Sequence, residues 1–345
     1  MGDMKKFVLS FCGTVVVSMV LILCFNAYID PLWLFPDMSN NYNGVQHYID
    51  EQRLKTNQLY FTHKKYDTLV MGSSGVSFLD VDYLPGYKAY NYAGAGFGPS
   101  SYVDYLKFAK NDCNQKIKTV FLGLEFIKTN KNIQQDVSVQ EKYLTPTKKT
   151  LYRFENLLSA KTMKYAMRNI RMQQKNSLDW SYDRFNHHFN IEMTLESLNE
   201  NIKEGRQSYQ ELYCKYEYDD NYVEYLKRLK NENPDVNFVV FTVPNSKPMY
   251  SLLLENNLYD DYVHWLRDIV SVFGSVHNFL WDNEFMSNPY NYHDGNHYTF
   301  KAGQQICNAL ISGDSLNDMY LTKENFENQK TKLQNGFLKT PFVSY

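Results

Sequence analysis

The segment from Phe7 to Phe25 contains nineteen consecutive residues without a charged side chain. As an α-helix it would be about 28 Å long, which matches the hydrocarbon core of a bilayer. The sequence therefore predicts a single transmembrane helix near the N-terminus. A cleavable signal peptide is the alternative, but its apolar region is usually shorter, and no Ala-x-Ala-like cleavage site follows the segment.

The charges on the two sides of this helix predict its orientation. Lys5 and Lys6 precede it, whereas Asp30 and Asp37 follow it. Because positive charge is retained on the cytoplasmic side, we expect the short N-terminus to lie in the cytoplasm. The rest of the chain is then the extracytoplasmic part of a single-pass protein of the cell membrane.

Beyond this helix, short β-branched and aromatic runs alternate with helical stretches. The strand candidates are Thr68–Met71, Tyr87–Asn91, Lys118–Leu124, Asn237–Val243 and Ser275–Trp281. The helix candidates are Tyr102–Lys110, Asn221–Lys230, Tyr259–Phe273 and Phe300–Ile311. This alternation predicts an α/β fold, a three-layer sandwich with a mainly parallel sheet between helices and functional groups at the carboxyl ends of the strands.

The predicted organisation has three parts. Residues 1–28 form the cytoplasmic tail and the anchor, and residues 29–66 form a connector with a short helix near Glu51 to Tyr60. Residues 67–345 form the α/β domain. The gap between its third and fourth strands is too long for a loop, so we expect a helical insertion at about residues 129–232.

The first half of the expected insertion is rich in basic residues. They are Lys148, Lys149, Arg153, Lys161, Lys164, Arg168, Arg171 and Lys175. Two interpretations stay open: a face that binds an anionic glycopolymer or lipid headgroups, or an ordinary solvated helix face. The net charge of −2 for the whole chain argues against a nucleic-acid-binding surface.

Two separate segments supply the residues of a candidate catalytic triad. Asp294 precedes His297 by three residues, so its carboxylate can hold one imidazole nitrogen while the other takes a proton from a hydroxyl. Ser74 offers that hydroxyl in the turn Gly72-Ser73-Ser74-Gly75, directly after the first strand. Ser, Gly and Asp are also common in plain turns, but their occurrence together, each after a strand candidate, favours a serine nucleophile.

These motifs resemble the SGNH (GDSL-type) hydrolase superfamily, and within it the membrane-anchored branch that acylates cell-envelope polymers, the DltD and alginate-acetylation type. The similarity covers separated blocks within residues 67–312. The first block is the turn of Ser74, with Ser73 where many members have Asp, and the last is Asp294-x-x-His297. In the second block, Asn91 to Gly96, the resemblance gives Gly96 the role of an oxyanion-binding N–H, beside the N–H of Ser74.

The third block departs from the family pattern. Gly123-Leu124-Glu125-Phe126 stands where the family has Gly-x-Asn-Asp, so that Glu125 replaces the Asn. A carboxylate would repel a developing oxyanion, so either Glu125 points elsewhere or the oxyanion hole consists of the two N–H groups alone. Loss of one such donor costs about 100- to 1000-fold in rate. The departure therefore disfavours hydrolysis by free water more than acyl transfer as such.

The resemblance implies an O-acyltransferase that moves an acetyl or D-alanyl group onto an envelope polysaccharide or teichoic acid, with no metal or cofactor. It also implies a multi-span partner of the membrane-bound O-acyltransferase (MBOAT) class. Two alternatives stay open: a carbohydrate esterase or deacetylase of the same architecture, and a catalytically idle assembly subunit. Tyr290, Tyr292 and Tyr298 lie around the triad in sequence and would suit stacking on sugar rings, although aromatic residues also line cores.

Gly313-Asp314-Ser315-Leu316 spells the signature of the superfamily literally but stands in the wrong context. It follows a predicted helix, whereas the nucleophile of this family follows a buried strand. We therefore expect Gly313 to end that helix and Ser315 to have no catalytic role.

The predicted topology can be tested with a reporter that is active only outside the cytoplasm. Fused after Tyr345, it should be active, and the mature protein should retain its N-terminal residues, because the uncharged segment follows Lys5 and Lys6. Recovery of a soluble chain that begins near residue 25 would contradict the anchor.

Overall fold

The computed structural model describes residues 2–47, 50–133, 138–175, 181–183, 187–188, 193–313 and 319–339. The chain forms two compact units. The N-terminal unit contains Met1–Lys64 and Gln140–Phe189, and the sheet unit contains Lys65–Val139 and Asn190–Tyr345. The region expected as an insertion is thus divided between the two units.

Eight strands and thirteen α-helices lie in the part of the chain that the structure describes. The strands are β1 (Val45–His47), β2 (Thr68–Met71), β3 (Ala89–Asn91), β4 (Thr119–Leu124), β5 (Ser181–Asp183), β6 (Asn237–Thr242), β7 (Ser275–Asn278) and β8 (Met319–Thr322). The helices are α1 (Gly2–Ile29), α2 (Glu51–Phe61), α3 (Tyr102–Lys107), α4 (Thr145–Thr147), α5 (Tyr152–Leu157), α6 (Ala160–Lys175), α7 (Leu195–Cys214), α8 (Tyr222–Asn231), α9 (Lys247–Glu255), α10 (Tyr259–Phe273), α11 (Glu284–Ser287), α12 (Phe300–Ser312) and α13 (Phe326–Lys339).

The sheet unit is built on six strands in the order β3-β2-β4-β6-β7-β8. All neighbouring strands run parallel except β7 and β8, which are antiparallel. Every residue of β2 and β4 is buried. Because side chains alternate between the two faces of a strand, both faces are covered at the centre of the sheet. The predicted α/β fold with a mainly parallel sheet is confirmed.

All five strand candidates form strands of this sheet, although some are shorter than predicted. The fifth ends at Asn278 and does not reach Trp281. The backbone N–H groups of Phe279 and Leu280 donate to the Thr242 hydroxyl (2.9 and 3.0 Å), so the chain bends toward the end of β6. The edge strand β8 was not predicted from the sequence.

The helix candidates are also present, and local signals explain where they end. The predicted helix Tyr259–Phe273 has the same bounds in the structure, and Gly274 follows it at φ 90°. Helix α12 begins after Thr299, whose hydroxyl accepts a hydrogen bond from the N–H of Ala302 (3.2 Å). It ends at Gly313, which adopts φ 66° in the left-handed region, as expected of a helix C-terminus.

The core on one side of the sheet joins the central strands to α12. It contains Val70, Phe121 and Phe241 from the strands, together with Ala302 and Ile306 from the helix. Gly303 of this helix lies so close to the carbonyl of Phe78 that an added Cβ would overlap it. The helix that follows the Asp294–His297 segment therefore packs directly on the segment that follows Ser74.

The N-terminal unit begins with α1, the one helix of the described residues that is long and apolar enough to cross a membrane. A signal sequence would have the same length and composition. The residues of α1 up to Leu21 are exposed, whereas Asn26 and Ile29 are buried. The Asn26 side chain donates to the carbonyl of Leu157 at the end of α5 (2.7 Å). The last turns of α1 are thus packed against α5 and α6.

Candidate active site

Ser74 lies at the carboxyl end of β2, in a turn that depends on two glycines. Gly72 has φ 154°, and an added Cβ there would be 2.7 Å from the carbonyl oxygen of Gly123 at the end of β4. A Cβ on Gly123 would in turn meet the Phe241 ring at 2.6 Å. Glycine at both positions lets the two strands meet closely, and Ser74 then opens a short 3₁₀ turn with its side chain half-buried.

Asp294 and His297 are held in one tight turn. One carboxylate oxygen of Asp294 accepts hydrogen bonds from the backbone N–H groups of Asn296 (3.0 Å) and His297 (2.8 Å). The other carboxylate oxygen lies 2.8 Å from Nδ1 of His297. The backbone N–H of His293 donates to the His297 carbonyl (2.8 Å) and closes the turn. The carboxylate is therefore oriented by the backbone before it orients the imidazole.

The structure brings the three residues of the predicted triad together. Nε2 of His297 lies 2.9 Å from Oγ of Ser74, although the two residues are 223 positions apart. With the Nδ1–H donating to Asp294, Nε2 carries no proton and accepts the hydrogen bond of the serine hydroxyl. The arrangement can move a proton from the serine to the histidine.

The environment of Asp294 favours the charged form of its carboxyl group. Burial opposes its ionisation, but the charge and side-chain hydrogen bond of His297, with the backbone N–H groups of His297 and Asn296, outweigh that effect. The pKa of Asp294 is therefore below its ordinary value of 3.8. The carboxylate is charged at neutral pH and can stabilise an imidazolium at His297.

Glu125 lies beside the turn that carries Ser74. It follows β4, its exposed fraction is 8%, and Oε1 occupies the place that a Cβ on Gly75 would take. Among the described residues, nothing donates a hydrogen bond to Oε1. The Glu125 carboxylate therefore packs against the turn of Ser74, and whether it opposes an oxyanion there stays a prediction.

Several buried or half-buried tyrosines interact electrostatically with this carboxylate. Burial above all, with smaller effects of Glu125 and of other neighbouring groups, raises their pKa values above the ordinary value of 10. These tyrosines are Tyr102, Tyr209, Tyr213, Tyr222 and Tyr298. All five phenols are consequently protonated at neutral pH.

The loop that carries Gly96 is fastened to the serine turn by Asn91. The Asn91 amide donates to the carbonyls of Ser77 and Leu79 (3.0 Å each) and accepts from the N–H of Ala93 (3.1 Å). Gly96 itself is exposed and has φ 79°. Its role as an oxyanion donor stays a prediction. The positioning role of Asn91 was missed, because in the sequence it stood only as the end of a strand and the first residue of the second block of the resemblance.

A second polar network holds the turn of the triad from the other side. The Asn245 side chain, beyond β6, donates to the Asn296 side chain (2.8 Å), which donates to the Tyr209 hydroxyl on α7 (3.0 Å). Gly205 of α7 lies so close to the Asp294 carbonyl that an added Cβ would overlap it. Sequence reasoning missed these supports because the partners are 51 and 87 positions apart.

Two further expectations concern residues near the site. Tyr292 and Tyr298 are completely buried in the core, so the prediction that they stack on sugars is wrong, and only Tyr290 of the three is exposed. They point inward because their segment is folded against the core below α12. Ser315 lies outside the described residues.

Comparisons with known proteins do not identify a family for this chain. The sequence matches no family model and no curated protein. Among solved structures, the chain is similar to a Streptococcus pneumonia protein named as a platelet activating factor. The two share 11% identity and a TM-score of 0.35, over 76% of this chain and 90% of that one. A likeness this distant says nothing about function.

His293, beside the triad, should make the protein sensitive to acid. Burial, with a smaller effect of His297, lowers the pKa of His293 to about 4 from 6.5, although Asp294 opposes the shift. Between pH 6.5 and 4 the unfolded chain binds a proton that the folded one does not, so acid destabilises the fold by up to about 3 kcal/mol. In His293→Gln, the unfolding temperature should fall less over this pH range than in the parent.

A control for this prediction is Tyr290→Phe, because Tyr290 lies three residues from His293, its side chain is 58% exposed and the substitution removes no histidine. This variant should keep the pH dependence of the parent. Equal pH slopes for the parent and His293→Gln would show that His293 is not the group that titrates.

Proposed function

We propose that this protein is an extracytoplasmic, membrane-anchored serine O-acyltransferase that modifies a cell-envelope polysaccharide or teichoic acid with an acetyl or D-alanyl group. The observation that carries the proposal is the continuous hydrogen-bonded chain from Asp294 through His297 to Ser74. Such a chain activates a serine hydroxyl toward an acyl carbonyl. The single span of α1 supplies the proposed anchor.

The proposed reaction has two halves that use the same three residues. In the first, Oγ of Ser74 attacks the carbonyl carbon of the acyl donor while Nε2 of His297 takes the hydroxyl proton. The tetrahedral adduct collapses, the bond to the donor oxygen breaks, and the proton passes from His297 to the leaving alcohol. The product of this half is an acyl ester of Ser74.

In the second half, a hydroxyl of the glycopolymer gives its proton to His297 and attacks the acyl-serine. Collapse of this second adduct breaks the bond to Oγ, and the proton returns from His297 to Ser74. In each adduct the N–H groups of Ser74 and Gly96 are proposed to bind the oxyanion. No metal or cofactor takes part in this scheme.

Glu125 supports transfer over hydrolysis. The carboxylate is buried against the serine turn, in the block where the resembling family has an amide donor. A negative charge there opposes the oxyanion and lowers the intrinsic reactivity of the site. We propose that this limits the use of water, whereas an acceptor polymer compensates through its own binding energy. The anchor adds to this preference because it keeps the site near donors in the membrane.

The donor has to be delivered to the outer face of the membrane, and a single span cannot carry an acyl group across. We therefore propose a partner of the MBOAT class that passes the acyl group to Ser74. The experiment below distinguishes this transferase from two alternatives, a carbohydrate esterase and a catalytically idle assembly subunit.

The deciding experiment uses the purified full chain with an acyl ester, in the presence and absence of an acceptor oligosaccharide. Ester formation on the oligosaccharide should exceed release to water, and a serine-directed fluorophosphonate should label Ser74. Release to water alone would identify an esterase, and absence of labelling would identify an idle subunit.

The triad should act as one unit. Ser74→Ala, Asp294→Ala and His297→Ala should each remove most of the acyl transfer, and double variants should be hardly slower than the single ones, because the three groups move the same proton. Ser315→Ala is the matched control and should be silent. Near-normal activity of Ser74→Ala combined with loss in Ser315→Ala would refute the assignment of the nucleophile.

Substitution of Glu125 should change the rate of ester hydrolysis relative to that of acyl transfer. Glu125→Asn replaces a repelling carboxylate by a possible donor to the oxyanion and should raise the hydrolysis of a neutral aryl ester by about tenfold or more. Thermal unfolding of the same variant is the control. A lower unfolding temperature without faster ester hydrolysis would mean that Glu125 is structural.

A further inference from the structure

One face of α6 carries only positive charge. Lys161, Lys164, Arg168 and Arg171 are all exposed, and their spacing of three and four residues places them along one side of the helix. Thr162, Ala166 and Asn169 are buried on the opposite side. These four cations are called the α6 cationic face.

Most of this face has no acidic partner in the part of the chain that the structure describes. Within the described residues, Lys164, Arg168 and Arg171 form no ion pair, and the ammonium of Lys161 lies 5.7 Å above the ring of Tyr165. By contrast, three exposed cations on or next to α7 and α8 pair with an acid about one turn away: Lys215 with Glu211, Lys227 with Glu224 and Arg228 with Glu232. Residues 140–175 contain nine Lys and Arg but two Glu. The described residues therefore leave this face available to an anionic partner.

Exposed apolar side chains accompany these cations. Leu151, just before α5, is 61% exposed, and Phe154 within α5 is 49% exposed. Tyr28, near the end of α1, is 52% exposed. Exposed large apolar side chains and exposed cations within one unit are the composition of segments that lie at the surface of a membrane.

The packing of α1 places these groups at its exit from the bilayer. Asn26 immediately follows the uncharged segment, and its side chain donates to the carbonyls of Leu157 (2.7 Å) and Ser159 (3.4 Å), between α5 and α6. Leu23 and Ala27 also pack against the cluster that contains Leu157. If Phe7–Phe25 fills the hydrocarbon core, the junction of α5 and α6 lies at the level of the lipid headgroups.

We infer that the α6 cationic face, with Leu151 and Phe154, binds the anionic lipid headgroups of the leaflet from which α1 emerges. The inference rests on the uncleaved anchor of the proposed function. Each Lys or Arg near such a surface contributes about 1 kcal/mol, and the apolar side chains enter the boundary of the acyl chains. A lipid surface is favoured over a soluble anionic polymer because α6 packs against α1 and because the segment before α6 carries the exposed apolar side chains of Leu151 and Phe154.

The cations do not contradict the predicted orientation of α1. The positive-inside rule counts residues within short loops close to the span. The α6 cationic face follows the span by more than 130 residues in sequence and reaches it only through folding. Long segments are translocated largely regardless of their charge.

The test uses the full chain in nanodiscs of phosphatidylcholine alone or with phosphatidylglycerol, and measures backbone hydrogen exchange over residues 151–171. Exchange should be about fivefold slower in the anionic discs, as expected for several surface cations. The triple variant Lys164→Gln, Arg168→Gln and Arg171→Gln should lose most of this difference. The matched control Lys107→Gln, Lys116→Gln and Lys118→Gln changes three exposed cations of the sheet unit and should retain it.

Equal exchange in both kinds of disc, or equal loss in the control variant, would overturn the inference. Slower exchange caused by soluble polyphosphate but not by phosphatidylglycerol would assign the face to a polymer and would also overturn it. Should the triple variant fail to fold, raising the salt concentration on the parent provides a second test, because screening should abolish the difference between the discs.

The intact mass of the reconstituted chain separates the two proposals. A chain that lacks the first 25 or so residues would refute the anchor itself. An intact chain without any effect of anionic lipid would refute the lipid-binding face and leave the proposed acyltransferase untouched.

Discussion

The close parallel pairing of β2 and β4 is the constraint on which the candidate site depends. Gly72 and Gly123 lack side chains at the point where the ends of these strands meet, and a Cβ at either position would overlap a neighbour. This contact places Glu125 against the turn of Ser74, although the two residues follow different strands. The proximity of the candidate nucleophile and a carboxylate at the carboxyl ends of these strands is thus a consequence of backbone packing.

The histidine side of the site depends on hydrogen bonds more than on apolar packing. Asp294 is oriented by two backbone N–H groups, and Asn296 ties the same turn to β6 and α7. Polar supports of this kind fix direction as well as distance, which a proton transfer requires. Helix α12 then fixes the separation between this turn and the serine turn, because Gly303 packs against the Phe78 carbonyl.

The N-terminal unit combines an apolar helix, a mixed core and a basic helix, three of whose exposed cations form no ion pair within the described residues. The buried Asn26 side chain donates through its amide nitrogen to two carbonyls, at Leu157 and Ser159, and so ties α1 to the junction of α5 and α6. A side chain in this position links the proposed span to the basic surface. The N-terminal unit therefore contains both the proposed membrane anchor, α1, and the helix proposed to contact lipid headgroups, α6.

The sequence by itself determined the fold class and most of the sheet, because runs of β-branched and aromatic residues specify buried strands over short distances. It also located Ser74, Asp294 and His297, since an Asp three residues before a His and a Ser in a glycine turn are local patterns. It could not predict that Tyr292 and Tyr298 are buried, or that Asn245, Asn296 and Tyr209 support the triad. Nor could it show that Glu125 faces the serine turn or that α6 adjoins α1. Those relations join distant positions, and only the packed tertiary structure brings them into contact.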